Sequence, residues 1–158
     1  MKWSKWLEKW DMTSLKITTP FLEMEWKPSE PDKNAAWELY IELLTRITTQ
    51  GLGNENGNEQ TALNSIYSLF PTTRSIIKEG GRECIEFTKL AIVVLNQKIR
   101  PFTARWHKIS QEQGFKASEI PKKFSEELKD LQKILCVYSA MLADMAGVEV
   151  LTELEDDS

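Results

Sequence analysis

Residues 95–107, LNQKIRPFTARWH, are the stretch that best predicts the fold of this chain. Their apolar side chains recur at alternating four- and three-residue steps, which places them on one face of a helix. They are Leu95, Ile99, Phe102 and Trp106. Pro101 lies among them and has no N–H to donate to the Gln97 carbonyl, so the helix is expected to kink there. The stretch predicts a kinked helix that faces a core.

The same helical spacing continues along most of the chain. After a short amphipathic helix at 2–10, helices are predicted at 33–50, at 58–70 with a short continuation to 80–81, at 82–109 and at 121–146. The last helix has an unbroken apolar seam, as bundles and coiled coils do. Its members are Phe124, Leu128, Leu131, Leu135, Tyr138, Leu142 and Met145. No stretch alternates with period two for long, so the predicted fold class is all-α, an antiparallel bundle of four main helices.

Local signals predict where these helices begin and end. The β-branched, proline-containing residues 12–31 predict an extended segment laid over the core. Asp32 is the expected N-cap of the helix at 33–50, and the glycine-rich residues 51–58 form the loop after it. Pro71 is expected to interrupt the next helix, and Gly147 is the expected C-cap of the last one.

The predicted elements form one domain at 1–150, with the bundle at 32–150 and an acidic tail at 151–158. A chain of 158 residues with 41% hydrophobic side chains can bury a core without disulfides or metal ions. The net charge of −4 argues against a dedicated nucleic-acid-binding protein, because such proteins need a basic excess.

The cysteines and the apolar runs indicate a cytoplasmic protein. Cys84 and Cys136 fall within apolar helical patterns, which favours two buried, reduced thiols, although a bridge between them stays open. No signal peptide is visible, and the longest apolar run, at 90–95, is too short to cross a bilayer. The chain has one histidine and no Glu-x-x-His pair, so neither a metal site nor a cofactor is predicted.

The N-terminal helix provides the first candidate binding surface. Trp3, Trp6 and Trp10 share one of its faces, and lysines lie on another. Indoles are typical anchors of interfaces. Three interpretations remain open: the face docks on its own bundle, on a partner or second copy, or on a membrane surface. These tryptophans are the candidate partner-binding residues.

The second candidate site is a pocket for a small anion. Its candidate residues are Arg46, Arg74, Asn96, Arg100, Thr103, Arg105 and His107. Guanidinium groups beside threonine hydroxyls suit phosphate or carboxylate recognition, and bundle interiors are known ligand locations. The alternative is structural, because Glu42 and Arg46 form an i,i+4 pair and arginine stems often cover core edges. His107 as a general base is a further alternative, but no local motif marks a nucleophile for it.

Residues 95–107, together with NAAWELYIELLTRITTQ at 34–50, resemble an uncharacterised group of small bacterial helical proteins. The group is associated with mobile elements and anti-phage defence neighbourhoods, where small helical proteins accompany larger effectors or sensors. The resemblance covers most of the chain from Trp37 to the last helix. It implies a genetic context, and it brings no activity or catalytic residue with it.

Two functions follow as hypotheses. The first is a non-enzymatic interaction module, an accessory or adaptor subunit or an oligomer, that binds through the tryptophan face and the seam of the last helix. The second is a sensor that holds a small anionic ligand, such as a nucleotide, between helices through its arginines.

Overall fold

The computed structural model describes residues 1–46, 58–117 and 119–149. These ranges are mostly helical and contain no β-strand, only one bridge between Lys2 and Glu25. The helices are α1 (Trp3–Lys9), α2 (Thr19–Leu22), α3 (Glu30–Leu44), α4 (Glu59–Tyr67), α5 (Leu69–Gly80), α6 (Ile85–Val94), α7 (Arg100–Glu112) and α8 (Ile120–Ala146). The predicted all-α fold class is confirmed. None of the described helices is long and apolar enough to cross a membrane.

Some predicted features lie outside the described residues. They are the end of the helix at 33–50, the loop at 51–58 apart from Asn58, and the acidic tail at 151–158.

Helix α8 forms the centre of the core through its apolar seam. Every predicted seam residue is buried, and α8 packs chiefly against α3. Gly147 adopts a left-handed conformation, with φ of 74°, at the C-cap of α8, as predicted. The seam is therefore covered within the chain and gives no support to the expectation that it binds a partner.

Helix α3 begins earlier than predicted. Ser29, not Asp32, is its N-cap, and the two residues exchange hydrogen bonds in a capping box. Pro31 is accommodated because it lies in the first turn, where its missing N–H would have no partner. Asp32 is 1% exposed and also accepts a hydrogen bond of 3.0 Å from the Phe87 N–H, which ties α3 to the start of α6.

Two further boundaries differ from the prediction. The break between α4 and α5 falls at Ser68, and Pro71 lies in the first turn of α5, where a proline costs no hydrogen bond. The segment at 12–31, predicted to be extended, contains the short α2 and, from Glu30, the start of α3. Proline at the N-terminal turn explains both helices, because its fixed φ is suitable for a helix start.

The predicted kink at Pro101 is a π-helical turn (Leu95–Ile99) that joins α6 to α7. The Arg100 N–H reaches back five residues to the Leu95 carbonyl. A proline ring clashes with the carbonyl four residues before it in a regular α-helix, and one extra residue in the turn relieves the clash. The turn also holds the N-terminal segment, because the Gln97 amide exchanges two hydrogen bonds of 2.7 Å with the Lys16 backbone.

The two cysteines are not joined by a disulfide. Cys84 is buried, as predicted, and its thiol lies 3.2 Å from the Gly81 carbonyl oxygen. Cys136 is exposed on α8, so the prediction that it is buried is wrong. It lies one residue after Leu135, which belongs to the seam, and the helix turns it away from the core.

The tryptophan face of α1 packs on the chain's own core. Trp3 and Trp6 are 0% exposed, and their indole N–H groups donate to Glu86 at 2.6 Å and Asp144 at 2.7 Å. Trp10 is partly buried and donates to the same Asp144 carboxylate at 3.2 Å. Of the three interpretations of this face, these contacts match docking on the chain's own bundle.

We expect Asp144→Asn to lower the free energy of unfolding by about 1–3 kcal/mol at pH 7, because the buried indole N–H of Trp6 and the partly buried one of Trp10 lose a charged acceptor. Burial acts to raise the pKa of Asp144, but hydrogen bonds from Trp6, Lys9 and Trp10 outweigh it and lower that pKa from its ordinary 3.8. The stabilisation is therefore present above pH 3.8 and is lost as the pH falls through the folded-state pKa.

Urea denaturation at pH 7 and at pH 3 measures both effects. Asp130→Asn is the matched control, because Asp130 is exposed on the same helix. The control should unfold like the wild type at both pH values, whereas the Asp144 variant should differ less from the wild type at pH 3. Equal urea midpoints for the two variants at pH 7 would contradict the assignment.

Candidate functional site

A groove lies between α5 and the chain that runs from α6 through the π-helical turn to α7. Its volume is about 390 Å³. Its lining residues are Phe70, Thr73, Arg74, Ile77, Lys78, Ile92, Leu95, Asn96 and Arg100. Three of them are cationic and four are large apolar residues, and we call this site the basic groove. It combines positive charge with an apolar surface, and ligand sites are typically apolar with a few charged or polar groups.

The cations come from both walls of the basic groove. Arg74 and Lys78 are one turn apart on α5, so they share a face of that helix. Arg100 faces them from the first turn of α7. No carboxylate forms an ion pair with any of the three within the described part of the chain. Their charge is therefore available to an anion.

Arg100 is oriented by two neighbours. Its Nε donates to the Asn96 Oδ1 at 3.2 Å, and its guanidinium carbon lies 4.9 Å from the centre of the Phe70 ring. A cation over an aromatic face gains about 0.5–1 kcal/mol at an exposed site. These contacts use Nε and one face of the group, and they leave the two terminal nitrogens for a carboxylate or phosphate.

The predicted anion-site residues separate into two sets. Arg74, Asn96 and Arg100 meet in the basic groove, as the hypothesis required. Lys78 and the apolar lining were missed by the sequence analysis. The spacing of Lys78, four residues after Arg74, is the one signal that could have identified it.

Arg46 lies elsewhere and acts as a structural link. Its guanidinium donates to Glu42 on α3 at 2.7 Å, to Thr72 at 3.0 Å and to the Ser68 hydroxyl. These contacts join α3 to α5 and to the residue between α4 and α5. Its donors are thus engaged within the chain, and Arg46 does not line the basic groove.

Arg105 and Thr103 also have structural contacts. Arg105 forms an ion pair of 2.6 Å with Glu127, whose other oxygen accepts from the Trp106 indole, so the group joins α7 to α8. The Thr103 hydroxyl is buried and donates to the Arg100 carbonyl at 3.1 Å. Neither residue lines the basic groove.

His107 lies at the interface of α7 with α4. Its ring meets Tyr67 edge to face at 4.8 Å, and its Nε2 is buried with no hydrogen-bond partner among the described residues. No hydrogen bond connects it to a serine or cysteine in that part of the chain, and it does not line the basic groove. Likewise, no group of three or more metal-ligating side chains occurs in the described ranges.

Comparison with protein-family models, curated proteins and solved structures found no match to this chain.

The two sets of arginines should respond differently to substitution. Arg46→Ala is expected to lower the free energy of unfolding by about 1–3 kcal/mol, because hydroxyl and carboxylate partners lose a charged donor. Arg100→Ala removes an exposed group and should cost less than about 1 kcal/mol. Chemical denaturation followed by circular dichroism measures both. Equal losses would show that Arg100 is as structural as Arg46.

Proposed function

We propose that this protein is a non-enzymatic binding module whose basic groove holds an anionic ligand with an apolar part. The convergence of Arg74, Asn96 and Arg100 on one groove carries the proposal. Of the two hypotheses from the sequence, this observation favours the sensor of an anionic ligand. The surfaces first expected to bind a partner are covered within the chain, so they no longer support the interaction module.

The ligand class follows from the lining of the basic groove. Guanidinium groups pair with carboxylate or phosphate oxygens, often through two parallel hydrogen bonds. The apolar side chains Ile77, Ile92 and Leu95 would cover a hydrocarbon or aromatic part of the same ligand. A volume of about 390 Å³ is within the range of small-molecule sites, which begins near 300 Å³. Aromatic carboxylates, acyl phosphates and nucleotides fit this description.

The surroundings of His107 favour a structural role for this residue over catalysis, which agrees with a non-enzymatic protein. A general base needs a proton donor within hydrogen-bond reach and a nucleophile that it activates. The contacts of His107 are aromatic, and its buried Nε2 has no partner in the described ranges. Its position between α4 and α7 suits packing.

The proposal keeps three further expectations. The core is an antiparallel bundle of four main helices, supported by the packing of α3 against both α5 and α8. The protein works in the cytoplasm, supported by the two free cysteines. Its setting is a bacterial anti-phage defence neighbourhood, supported by the sequence resemblance at 34–50 and 95–107.

Titration with 8-anilinonaphthalene-1-sulfonate, a fluorescent anion with an apolar body, tests the proposal. We expect saturable binding that weakens at least about tenfold, or 1.4 kcal/mol, in Arg74→Ala/Arg100→Ala, because two cations are lost. Lys108→Ala is the control, since Lys108 is exposed on α7 and lies outside the groove lining. The neutral probe N-phenyl-1-naphthylamine should respond less to the double substitution.

A thermal-shift panel of aromatic carboxylates and nucleotides then searches for the natural ligand class. A ligand that binds only the folded chain raises its melting temperature. That shift should disappear in the double variant and persist in the Lys108 control. Binding of the sulfonate that is equal in all three proteins would contradict the proposal, because the basic groove would then not be the site.

A further inference from the structure

A second groove borders α5 on its other side, between α3 and α5. It consists of two adjoining cavities of about 530 and 290 Å³. Both cavities are lined by Glu38 and Ile76, so they lie next to each other. Their linings contain glutamates but no lysine or arginine. We call this site the acidic groove. Helix α5 thus separates two grooves of opposite charge.

Two of the three carboxylates that line the acidic groove have no cationic partner among the described residues. Glu38 on α3 and Glu79 on α5 form no ion pair within the described residues, whereas Glu42 is paired with Arg46. Partial burial and the charge of Glu79 raise the pKa of Glu38. The two carboxylates therefore repel each other across the groove, and a cation placed between them would relieve that repulsion.

An exposed indole adjoins these carboxylates. Trp37 is 42% exposed, although the nearby large side chains Leu39 and Tyr40 are buried. Its ring lies 6.1 Å from that of Tyr40, at the rim of the larger cavity. Tryptophan is the residue most enriched at interface hot spots, and its exposure here leaves a large apolar surface in water.

We propose that a second copy of this chain occupies the basic groove, and that it binds there through its own acidic groove. This inference rests on the proposed function and names its ligand: Glu38 and Glu79 supply the anionic groups, and Trp37 supplies the apolar part. Charge complementarity carries it, since each groove lacks the partner charge that the other provides.

The contact is head to tail, because two different surfaces meet. Trp37 of one copy packs against the apolar lining of the next, and the carboxylates of the first pair with Arg74 and Arg100 of the second. Each copy in the pair keeps one groove unused, so the contact propagates into a ring or an open chain. Since both surfaces are on the same molecule, the assembly needs no other component and grows with concentration.

Sedimentation velocity of the full chain tests the association. We expect the average mass to rise above that of the monomer between about 5 and 500 μM protein at about 50 mM NaCl, a range that covers micromolar to sub-millimolar dissociation constants. At about 500 mM NaCl the association should weaken at least tenfold, because exposed ion pairs are screened. A monomer at every concentration and both salts would overturn the inference.

Two groove variants test the head-to-tail geometry. Glu38→Gln/Glu79→Gln removes the charge of the acidic groove, and Arg74→Gln/Arg100→Gln removes it from the basic groove. Each variant alone should remain monomeric, since every contact needs both surfaces intact. An equimolar mixture should give one-to-one pairs and nothing larger, because one intact groove remains on each side. Trp37→Ala should also be monomeric, and circular dichroism melts check that all variants fold.

The outcomes separate this inference from the proposed function. If either double variant still associates like the wild type, or if the mixture stays monomeric while the wild type associates, the head-to-tail contact is wrong. If the wild type stays monomeric but binds the anilinonaphthalene sulfonate through Arg74 and Arg100, the inference fails and the small-ligand function stands. If the wild type associates as described but no sulfonate binds, the basic groove still holds an anionic ligand, the second copy, and only its use as a small-molecule site is wrong.

Discussion

The arrangement of the helices depends on the hydrogen bonds that the buried carboxylate of Asp32 accepts. It is 1% exposed and accepts hydrogen bonds from the Ser29 N–H at 2.8 Å, the Ser29 hydroxyl at 2.9 Å and the Phe87 N–H at 3.0 Å. Ser29 and Phe87 belong to the first turns of α3 and α6, where backbone N–H groups lack partners within the helix. One negative charge thus serves the positive ends of two helix dipoles. It fixes α3 against α6, and α3 in turn supports α5 and α8.

The basic groove depends on a second constraint, the ring of Pro101, whose clash with the carbonyl four residues earlier is relieved by a π-helical turn. The π-helical turn before it is five residues long, and two of its neighbouring side chains point to different parts of the molecule. Asn96 lines the groove and holds Arg100, whereas Gln97 holds the backbone of Lys16 in the N-terminal segment. A π turn is often found at functional sites because it changes the register of the side chains around it. The turn that positions the cation of the groove is therefore also the turn that anchors the N-terminal segment.

The sequence predicted those features that local stereochemistry determines. Helical periodicity identified the α8 seam, and glycine's tolerance of positive φ identified Gly147 as the end of that helix. Periodicity also identified an apolar face on α1, but it cannot tell which surface covers that face, and Trp3 and Trp6 pack within the chain. Similarly, Ser29 could not be distinguished from Asp32 as the N-cap, because both are good capping residues and only the contact with α6 decides between them.

The arginines show why only part of the candidate site could be predicted. Arg46 and Arg100 have similar local contexts, each near a threonine on a helix with an apolar face. Tertiary structure separates them, because Arg46 meets Glu42 and two hydroxyl groups, whereas Arg100 meets an amide and an aromatic ring that leave its charge unneutralised. A charge without a partner costs little while it is hydrated, but it extends a field into solvent over about 8–10 Å. Helix α5 has unpaired positive charge on the side of the basic groove and unpaired negative charge on the side of the acidic groove. In the proposed association between copies, the glutamates of one copy neutralise the arginines of the next.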